Sequence, residues 1–141
     1  MHRADLLDQY MASHQHLIHQ WKAHYFARVA DEDLSPALVG LLFVLNRCKT
    51  LQSKHIAQEL HITPGAVAQF LDALEQHGYI ERTADKIDRR VSHITLSPEG
   101  TKKVKKLEEI RHKLFTEIAA NLTDEEIATS IALNKKLIDS M

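Results

Sequence analysis

The prolines of this chain fix where its helices begin. Each of the three directly follows a hydroxyl residue, in the pairs Ser35-Pro36, Thr63-Pro64 and Ser97-Pro98. A serine or threonine side chain accepts a hydrogen bond from an unpaired N–H group of the first helical turn, and proline has no N–H to leave unpaired there. A fourth start is predicted at Thr123, because Glu126 lies three residues later and completes a capping box.

Between these starts, apolar residues recur at helical spacing and predict a mainly α chain of the α+β class. Ser53 is a fifth candidate helix start, and Gly78 is suited to close a helix. The predicted helices are, in order, one that ends before the acidic residues 31–33, and then 36–47, 53–60, 64–77, 101–119 and 124–138. Segments 79–83 and 91–96 alternate polar and apolar residues, which predicts a β-hairpin with a polar loop.

Length and composition predict a single cytoplasmic domain over residues 1–141. A chain of this length builds one well-buried core but is short for two. No apolar run approaches the roughly 20 residues that span a membrane, and the first five residues contain no apolar signal core. The single Cys48 excludes an intramolecular disulfide and, within its apolar stretch, is expected to be a buried small hydrophobe.

Charge is distributed unevenly along the chain. The formal net charge is only −1, yet segment 82–106 carries eight lysines or arginines against three acidic residues. Acidic residues gather instead at 31–33 and 124–126. A cationic face on an otherwise neutral or acidic molecule is suited to bind phosphate groups.

The order of the central elements predicts a winged helix-turn-helix. Two short helices joined by residues 61–63 precede a hairpin whose loop contains Lys86, Arg89 and Arg90. A helix about 10 to 12 Å across fits the major groove of B-DNA, and the hairpin loop then reaches the neighbouring backbone or minor groove. The combination therefore predicts a protein that binds double-stranded DNA.

The centre of the chain resembles the multiple antibiotic resistance regulator (MarR) family. The residues that carry the resemblance are Ser35-Pro36-Ala37, Ile56-Ala57, Leu60, Val67, Leu71, Leu74-Glu75, Gly78-Tyr79-Ile80, Arg82, Asp88-Arg89-Arg90 and Ile94-Thr95-Leu96-Ser97-Pro98-Glu99-Gly100. The resemblance implies a homodimer that represses transcription until a ligand or oxidant alters the spacing of its DNA-binding lobes. It also implies long dimerisation helices within 1–34 and 101–141 that flank a DNA-binding lobe over 35–100.

Within the predicted wing, the resemblance gives two residues specific roles. Arg90 corresponds to an arginine that contacts DNA, and Asp88 to an aspartate that helps to orient the wing. An always-charged, planar guanidinium suits phosphate or a narrow, electronegative minor groove. Arg89 and Lys86 are expected to add contacts to the DNA backbone.

The predicted recognition helix, 64–77, offers few groups that read bases. If Val67, Phe70, Leu71 and Leu74 face inward, then Gly65, Ala66, Gln69 and Ala73 face outward. Only Gln69 pairs bidentately with a base, preferably adenine, whereas Ala66 and Ala73 suit thymine methyl groups. The helix starts Ser53 and Thr63 complete the predicted DNA-binding residues. We therefore expect a pseudo-palindromic, A/T-rich operator, with half-sites about one helical turn apart.

Three other interpretations accompany this one. The weakly polar recognition helix also suits a winged helix that contacts only proteins. The ten histidines, with pairs such as His16 and His19, allow a zinc-sensing regulator, although no set of three or four convergent ligands is evident and no resident metal or cofactor is expected. An enzyme is not indicated, since the chain contains no phosphate loop, nucleophile elbow or HExxH motif.

A small aromatic effector is a further expectation. The resemblance places its crevice between the dimerisation helices and the DNA-binding lobe. The residues at those positions are Trp21, Tyr25, Leu42 and Asn46. An amphipathic aromatic pocket suits a phenolic ligand, whereas an aromatic stripe of this kind is more often part of a hydrophobic core.

Overall fold

A computed structural model describes residues 1–141, the side chain of Asp31 excepted. The elements are α1 (Arg3–Arg28), α2 (Pro36–Cys48), β1 (Thr50–Gln52), α3 (Ser53–Leu60), α4 (Pro64–Gln76), β2 (Ile80–Ala84), β3 (Ser92–Leu96), α5 (Pro98–Ile118) and α6 (Asp124–Ile138). Single 3-10 turns occupy Ala30–Glu32 and Ala119–Asn121. Residues Met1–Ile110 form one compact unit and Arg111–Met141 form a second. No helix of the described residues is long and apolar enough to cross a membrane.

The helix starts predicted from the hydroxyl residues are largely confirmed. Ser35 and Thr63 accept hydrogen bonds from the backbone N–H groups of the third residue after each, at 3.4 and 3.2 Å. Thr123 and Glu126 form the reciprocal capping box. The helix predicted from Ser53 to Leu60 is confirmed, but Ser53 is its first residue rather than its N-cap, which is Gln52. Helix α5 begins at Pro98, as the Ser97-Pro98 pair predicts and three residues before the start of the predicted range 101–119.

The sheet has three strands rather than the two of the predicted hairpin. Strand β3 lies between β1 and β2 and pairs antiparallel with both, so that Ile94 is opposite Leu51 on one side and Arg82 on the other. The prediction missed β1 because a strand of three residues is too short to show an alternating pattern. Its pairing with β3 ties the segment between α2 and α3 to the wing.

The core of the first unit lies beneath the central helices. Its fully buried side chains include Leu41, Leu42, Leu45, Ile56, Val67, Leu71, Leu74, Ile94 and Leu107. They come from α2, α3, α4, β3 and α5, so these five elements contribute to one core. Cys48, by contrast, is exposed at the end of α2, which contradicts the expectation of a buried small hydrophobe. The last turn of α2 points this residue away from the apolar face.

An ion cluster joins the turn after α1 to helix α5. The Glu32 carboxylate bonds Lys103 and also Lys106, the latter at 2.8 Å, and the Glu32 and Lys103 side chains are only 12% and 10% exposed. The hydrogen bonds from Lys103 and Lys106 hold the pKa of Glu32 below its ordinary value. Residues 31–33 were predicted only as an acidic segment after the first helix, whereas Glu32 is a structural contact.

A junction around Ser97 connects α4, the sheet and α5. The Ser97 hydroxyl is almost buried, donates to the Gly78 carbonyl at 2.5 Å and accepts from the Gly100 N–H at 3.0 Å. The Ser97 N–H donates to the Tyr79 carbonyl at 3.0 Å. A Cβ atom on Gly100 would lie 1.9 Å from that Tyr79 oxygen, so only glycine fits there. Gly78 has a φ of 76°, which favours glycine as well.

Substitution at this junction is predicted to be costly. Gly100→Ala forces the backbone of α5 away from Tyr79 and should lower the free energy of unfolding by about 3 kcal/mol, near the upper end for overpacking. Gly40→Ala is the matched control, because a Cβ atom at residue 40 has no neighbour within 4 Å. Alanine is more favourable than glycine in a helix interior by about 1 kcal/mol, so this variant should not be destabilised. Urea denaturation followed by circular dichroism measures the free energy of unfolding of both variants. Equal denaturation midpoints for the two variants would contradict the claim that only glycine fits at residue 100.

Candidate nucleic-acid interface

Helices α3 and α4 form the predicted helix-turn-helix. They are joined by residues 61–63, in which His61 adopts a left-handed conformation at a φ of 54°. The Ile62 N–H bonds the Ala57 carbonyl at 3.1 Å and closes the end of α3. Val67, Leu71 and Leu74 are buried as predicted. The opposite side of α4 is therefore the side exposed to a ligand.

The exposed face of α4 is as poor in base-reading groups as the sequence suggests. Gly65 and Gln69 are exposed as expected, whereas Ala66 and Ala73 are only half-buried at the margins of this face. The Thr63 hydroxyl caps the helix and retains its own O–H as a donor. Gln69 is thus the one predicted contact on α4 that combines exposure with a side chain able to pair with a base.

Two acidic side chains on α4 are held by one arginine of β2. The Arg82 guanidinium bonds Asp72 at 2.7 Å and also bonds Glu75. Although both Glu75 and Arg82 belong to the resemblance, neither was predicted to make this contact. Without Arg82, these carboxylates would present uncompensated negative charge beside the exposed face of α4, where they would repel phosphate groups.

The wing loop between β2 and β3 is organised by Asp85. One of its carboxylate oxygens accepts hydrogen bonds from the Ile87 and Asp88 N–H groups, at 3.0 and 2.8 Å. The other oxygen bonds the His93 ring at 2.9 Å. The Asp88 N–H, then the His93 ring and the Ile87 N–H, lower the pKa of Asp85 to about 2. No role was predicted for Asp85 from the sequence, although its position two residues before an exposed N–H is typical of an Asx turn.

Asp88 and Arg90 form the pair that the resemblance implies. The Arg90 guanidinium donates to both Asp88 carboxylate oxygens, at 3.1 and 3.2 Å, and the Arg90 N–H donates to the same carboxylate at 3.1 Å. The side-chain hydrogen bond from Arg90, followed by that from its backbone, lowers the pKa of Asp88. The Arg90 side chain is nevertheless 91% exposed. Asp88 therefore orients the arginine while leaving it open to a ligand.

A small groove brings the wing to the start of α3. It has a volume of about 230 Å³ and is lined by Gln52, Ser53, Lys54, Arg90, Val91 and Ser92. Ser53 and Arg90, both predicted DNA contacts, thus line one surface, together with the amino-terminal end of α3 and the side chain of Lys54. Helix amino termini and cations both favour phosphate. Lys86 and Arg89 are exposed elsewhere on the same loop.

The residues of the expected effector crevice lie within the first unit. Leu42 is fully buried, whereas Trp21 and Asn46 are half-buried. Tyr25 is buried, stacks on Trp21 with ring centroids 5.2 Å apart, and donates its hydroxyl to the Leu107 carbonyl at 3.3 Å. The Asn46 amide donates to Glu108 at 3.4 Å. Leu42 and Tyr25 are thus core residues, whereas Trp21 and Asn46 remain partly exposed.

Among the described residues, no group of three or more histidine, cysteine, aspartate or glutamate side chains is placed to hold a metal ion. His16 and His19, which the sequence places on one helix face, are exposed on α1. The neighbouring His14 stacks on Tyr10 instead, with ring centroids 6.0 Å apart.

Comparison with known proteins places this site in a family. The MarR family model matches residues 34–92. The HTH-type transcriptional regulator YwhA of Bacillus subtilis is 35% identical over 97 residues, which are 69% of this chain and 70% of YwhA. The HTH-type transcriptional repressor MdtR, also of Bacillus subtilis, is 28% identical over 132 residues, with 94% and 85% of the two chains covered.

Solved structures have the same fold. The YusO protein of Bacillus subtilis matches with a TM-score of 0.78 and 26% identity over the whole of both chains. A MarR family protein from Bacillus stearothermophilus reaches a TM-score of 0.91 at 16% identity, with all of this chain and 99% of the other covered. A point mutant of S. aureus MepR, solved bound to an oligodeoxyribonucleotide, has a TM-score of 0.70 at 24% identity, with 93% of this chain and 96% of the other covered.

The order of the wing loop is predicted to depend on pH through Asp85. The pKa of Asp85 is about 2 in the folded chain and ordinarily 3.8. The stabilisation of the wing loop by the ionised carboxylate is therefore present above pH 3.8 and is lost as the pH falls through about 2. Carboxyl carbon NMR shifts should give Asp85 a midpoint near 2. In Asp85→Asn, the Ile87 and Asp88 amides should exchange with solvent faster at neutral pH. A midpoint near 3.8 in the folded chain would mean that the turn does not form.

Proposed function

This chain belongs to the MarR family, and from that premise we propose that it is a DNA-binding transcriptional regulator that acts as a repressor in the cytoplasm. One observation carries the DNA-binding role: Arg90 is fixed by both oxygens of Asp88 yet is 91% exposed, beside the start of α3. An arginine held in this way has lost conformational freedom before it binds, so less entropy is lost on contact. The repressor role is supported by the relative MdtR, which is named as a repressor.

Helix α4 and the wing loop contact different parts of the DNA. Helix α4 enters the major groove with Gln69 toward the base edges, and Gly65 allows its backbone to approach closely. The wing loop reaches the adjacent minor groove or backbone with Arg90, aided by Lys86 and Arg89. Ser53 and Lys54, at the start of α3, contact phosphate. Base readout is limited to few groups, which supports an A/T-rich operator recognised substantially through its shape.

The regulator is proposed to act as a homodimer on a pseudo-palindromic operator. Within the first unit, α1 exposes the large apolar side chains Leu6, Leu7, Tyr10, Met11, Leu17 and Ile18. Within the second unit, α6 exposes Ile131, Leu133, Leu137 and Ile138. Apolar helix faces of this extent typically mark interfaces. They support dimerisation through 1–34 and 101–141, with 35–100 as the DNA-binding lobe.

The wing and α4 should differ in how their loss affects DNA binding. Arg90→Ala should weaken binding to specific and random duplexes alike and reduce the slope of log K against log salt by about 1. Gln69→Ala should instead mainly relax the preference at one operator position, by about 1–3 kcal/mol. Fluorescence anisotropy on a selected operator and on scrambled DNA measures both effects. Lys49→Gln removes an exposed charge outside both the predicted contacts and the proposed dimerisation segments; it is the control and should match the parent protein.

Each part of this proposal is separately open to contradiction. If no salt-sensitive binding is seen even at low salt, the chain is a winged helix that contacts proteins rather than DNA. Equal losses on operator and scrambled DNA for Gln69→Ala would show that Gln69 does not read bases. A normal salt slope for Arg90→Ala would remove the phosphate or groove contact from Arg90.

A small aromatic effector is a second proposal, and Trp21 provides its test. Trp21 is the single tryptophan of the chain and stacks on Tyr25 with an interplanar angle of 12°. An aromatic ligand that enters past Trp21 and Asn46 should quench its fluorescence with a saturable dependence on concentration. Titration with salicylate measures this, with Asn46→Leu as the variant that should weaken the effect. Unchanged emission up to millimolar salicylate would exclude this class of ligand from that region.

A further inference from the structure

The tip of the wing carries an apolar side chain that the proposed DNA contacts do not use. Ile87 is 98% exposed, whereas no other large apolar side chain of the described residues, the terminal methionines excepted, exceeds 64%. Single exposed apolar residues are ordinary on protein surfaces. Ile87 differs in projecting almost completely into solvent at the end of a hairpin, between the cations Lys86 and Arg89.

The backbone that carries Ile87 is held firmly. Its N–H donates to the Asp85 carboxylate at 3.0 Å, and the next N–H, of Asp88, donates to the same oxygen at 2.8 Å. The Asp85 N–H donates to the Val91 carbonyl at 2.8 Å and closes the base of the loop. Isoleucine is also branched at Cβ, which restricts its first side-chain torsion. The tip therefore presents a stiff apolar wedge at a small entropic cost.

The charges around Ile87 favour DNA over a protein as its partner. Lys86, Arg89 and Arg90 are exposed on the same loop. The two carboxylates of the loop, Asp85 and Asp88, are engaged by backbone N–H groups, His93 and Arg90. An apolar tip surrounded by outward cations matches a groove whose walls are apolar sugar faces flanked by phosphates. The minor groove has this character, and proteins that bind there insert isoleucine and similar side chains.

We propose that Ile87 enters the minor groove and selects base pairs that lack the guanine amino group. The N2 amino group of guanine projects into this groove and leaves no room for a branched side chain, whereas A·T pairs leave the floor open. Ile87 is then a specificity-determining residue that reads the absence of a group. This inference rests on the proposed function, because it needs the wing to lie on DNA.

Three polymer duplexes separate minor-groove readout from major-groove readout. Inosine lacks the N2 amino group but otherwise presents the major-groove edge of guanine, so poly(dI-dC) resembles G·C in the major groove and A·T in the minor groove. The parent protein should therefore bind poly(dA-dT) and poly(dI-dC) more tightly than poly(dG-dC). Ile87→Ala should lose about tenfold in affinity for the first two duplexes and little for the third, as removal of one buried aliphatic contact predicts.

Matched variants keep this test independent of the proposed function. Ile87→Leu keeps an apolar wedge and should retain most of the preference, and Arg90→Ala should weaken binding to all three duplexes. Because residue 87 is almost fully exposed, these variants should share one thermal midpoint. If Arg90→Ala loses binding while Ile87→Ala equals the parent protein, the inference fails and the proposed function stands. Equal losses of affinity for Ile87→Ala on all three duplexes overturn the inference too. Absence of binding by the parent protein overturns both the inference and the proposed function.

Discussion

The arrangement of α4, the wing and α5 depends on one buried hydroxyl group. Ser97 donates to the carbonyl of Gly78, just beyond α4, and accepts from the N–H of Gly100, within the first turn of α5. Burying a hydroxyl group costs free energy unless it both donates and accepts a hydrogen bond. These two bonds therefore keep the end of α4, the end of β3 and the start of α5 together. Because β2 begins two residues after Gly78 and β3 ends at Leu96, the wing starts and finishes at this junction. The distance from α4 to the wing is thereby fixed.

Acidic side chains near the wing and α4 are paired with neighbouring cations. The chain has a net charge of −1, yet its exposed loop at the wing is cationic because the acidic groups nearby are already engaged. Arg82 holds the two carboxylates on α4, and Asp88 holds Arg90 without covering it. Exposed ion pairs of this kind contribute little to the free energy of unfolding. Their consequence is positional, since they decide which charges face a ligand and in what orientation.

Much of the fold follows from local sequence patterns, and the differences have physical causes. The starts of α2, α4 and α6 agree with the sequence because hydroxyl caps, prolines and a capping box define them locally. Strand β1 escaped prediction because only its pairing with β3, forty-five residues along the chain at Thr50 and Thr95, makes it a strand. Glu32 and Arg82 were missed for the same reason, since their partners lie on other elements. Cys48 differs because it ends α2, where apolar neighbours in sequence no longer imply burial.

The same distinction between local and non-local information bears on the specificity that we propose for the DNA contacts. The exposed face of α4 is built from small residues, so its base-reading capacity rests on Gln69 alone among the predicted contacts. The wing compensates through geometry: a carboxylate of Asp85 holds the tip, a second carboxylate holds Arg90, and β3 is paired on both sides. A mobile loop with the same cations would contact any duplex. We propose that a loop held this firmly distinguishes grooves of different width and floor, because deforming either the loop or the DNA then costs free energy.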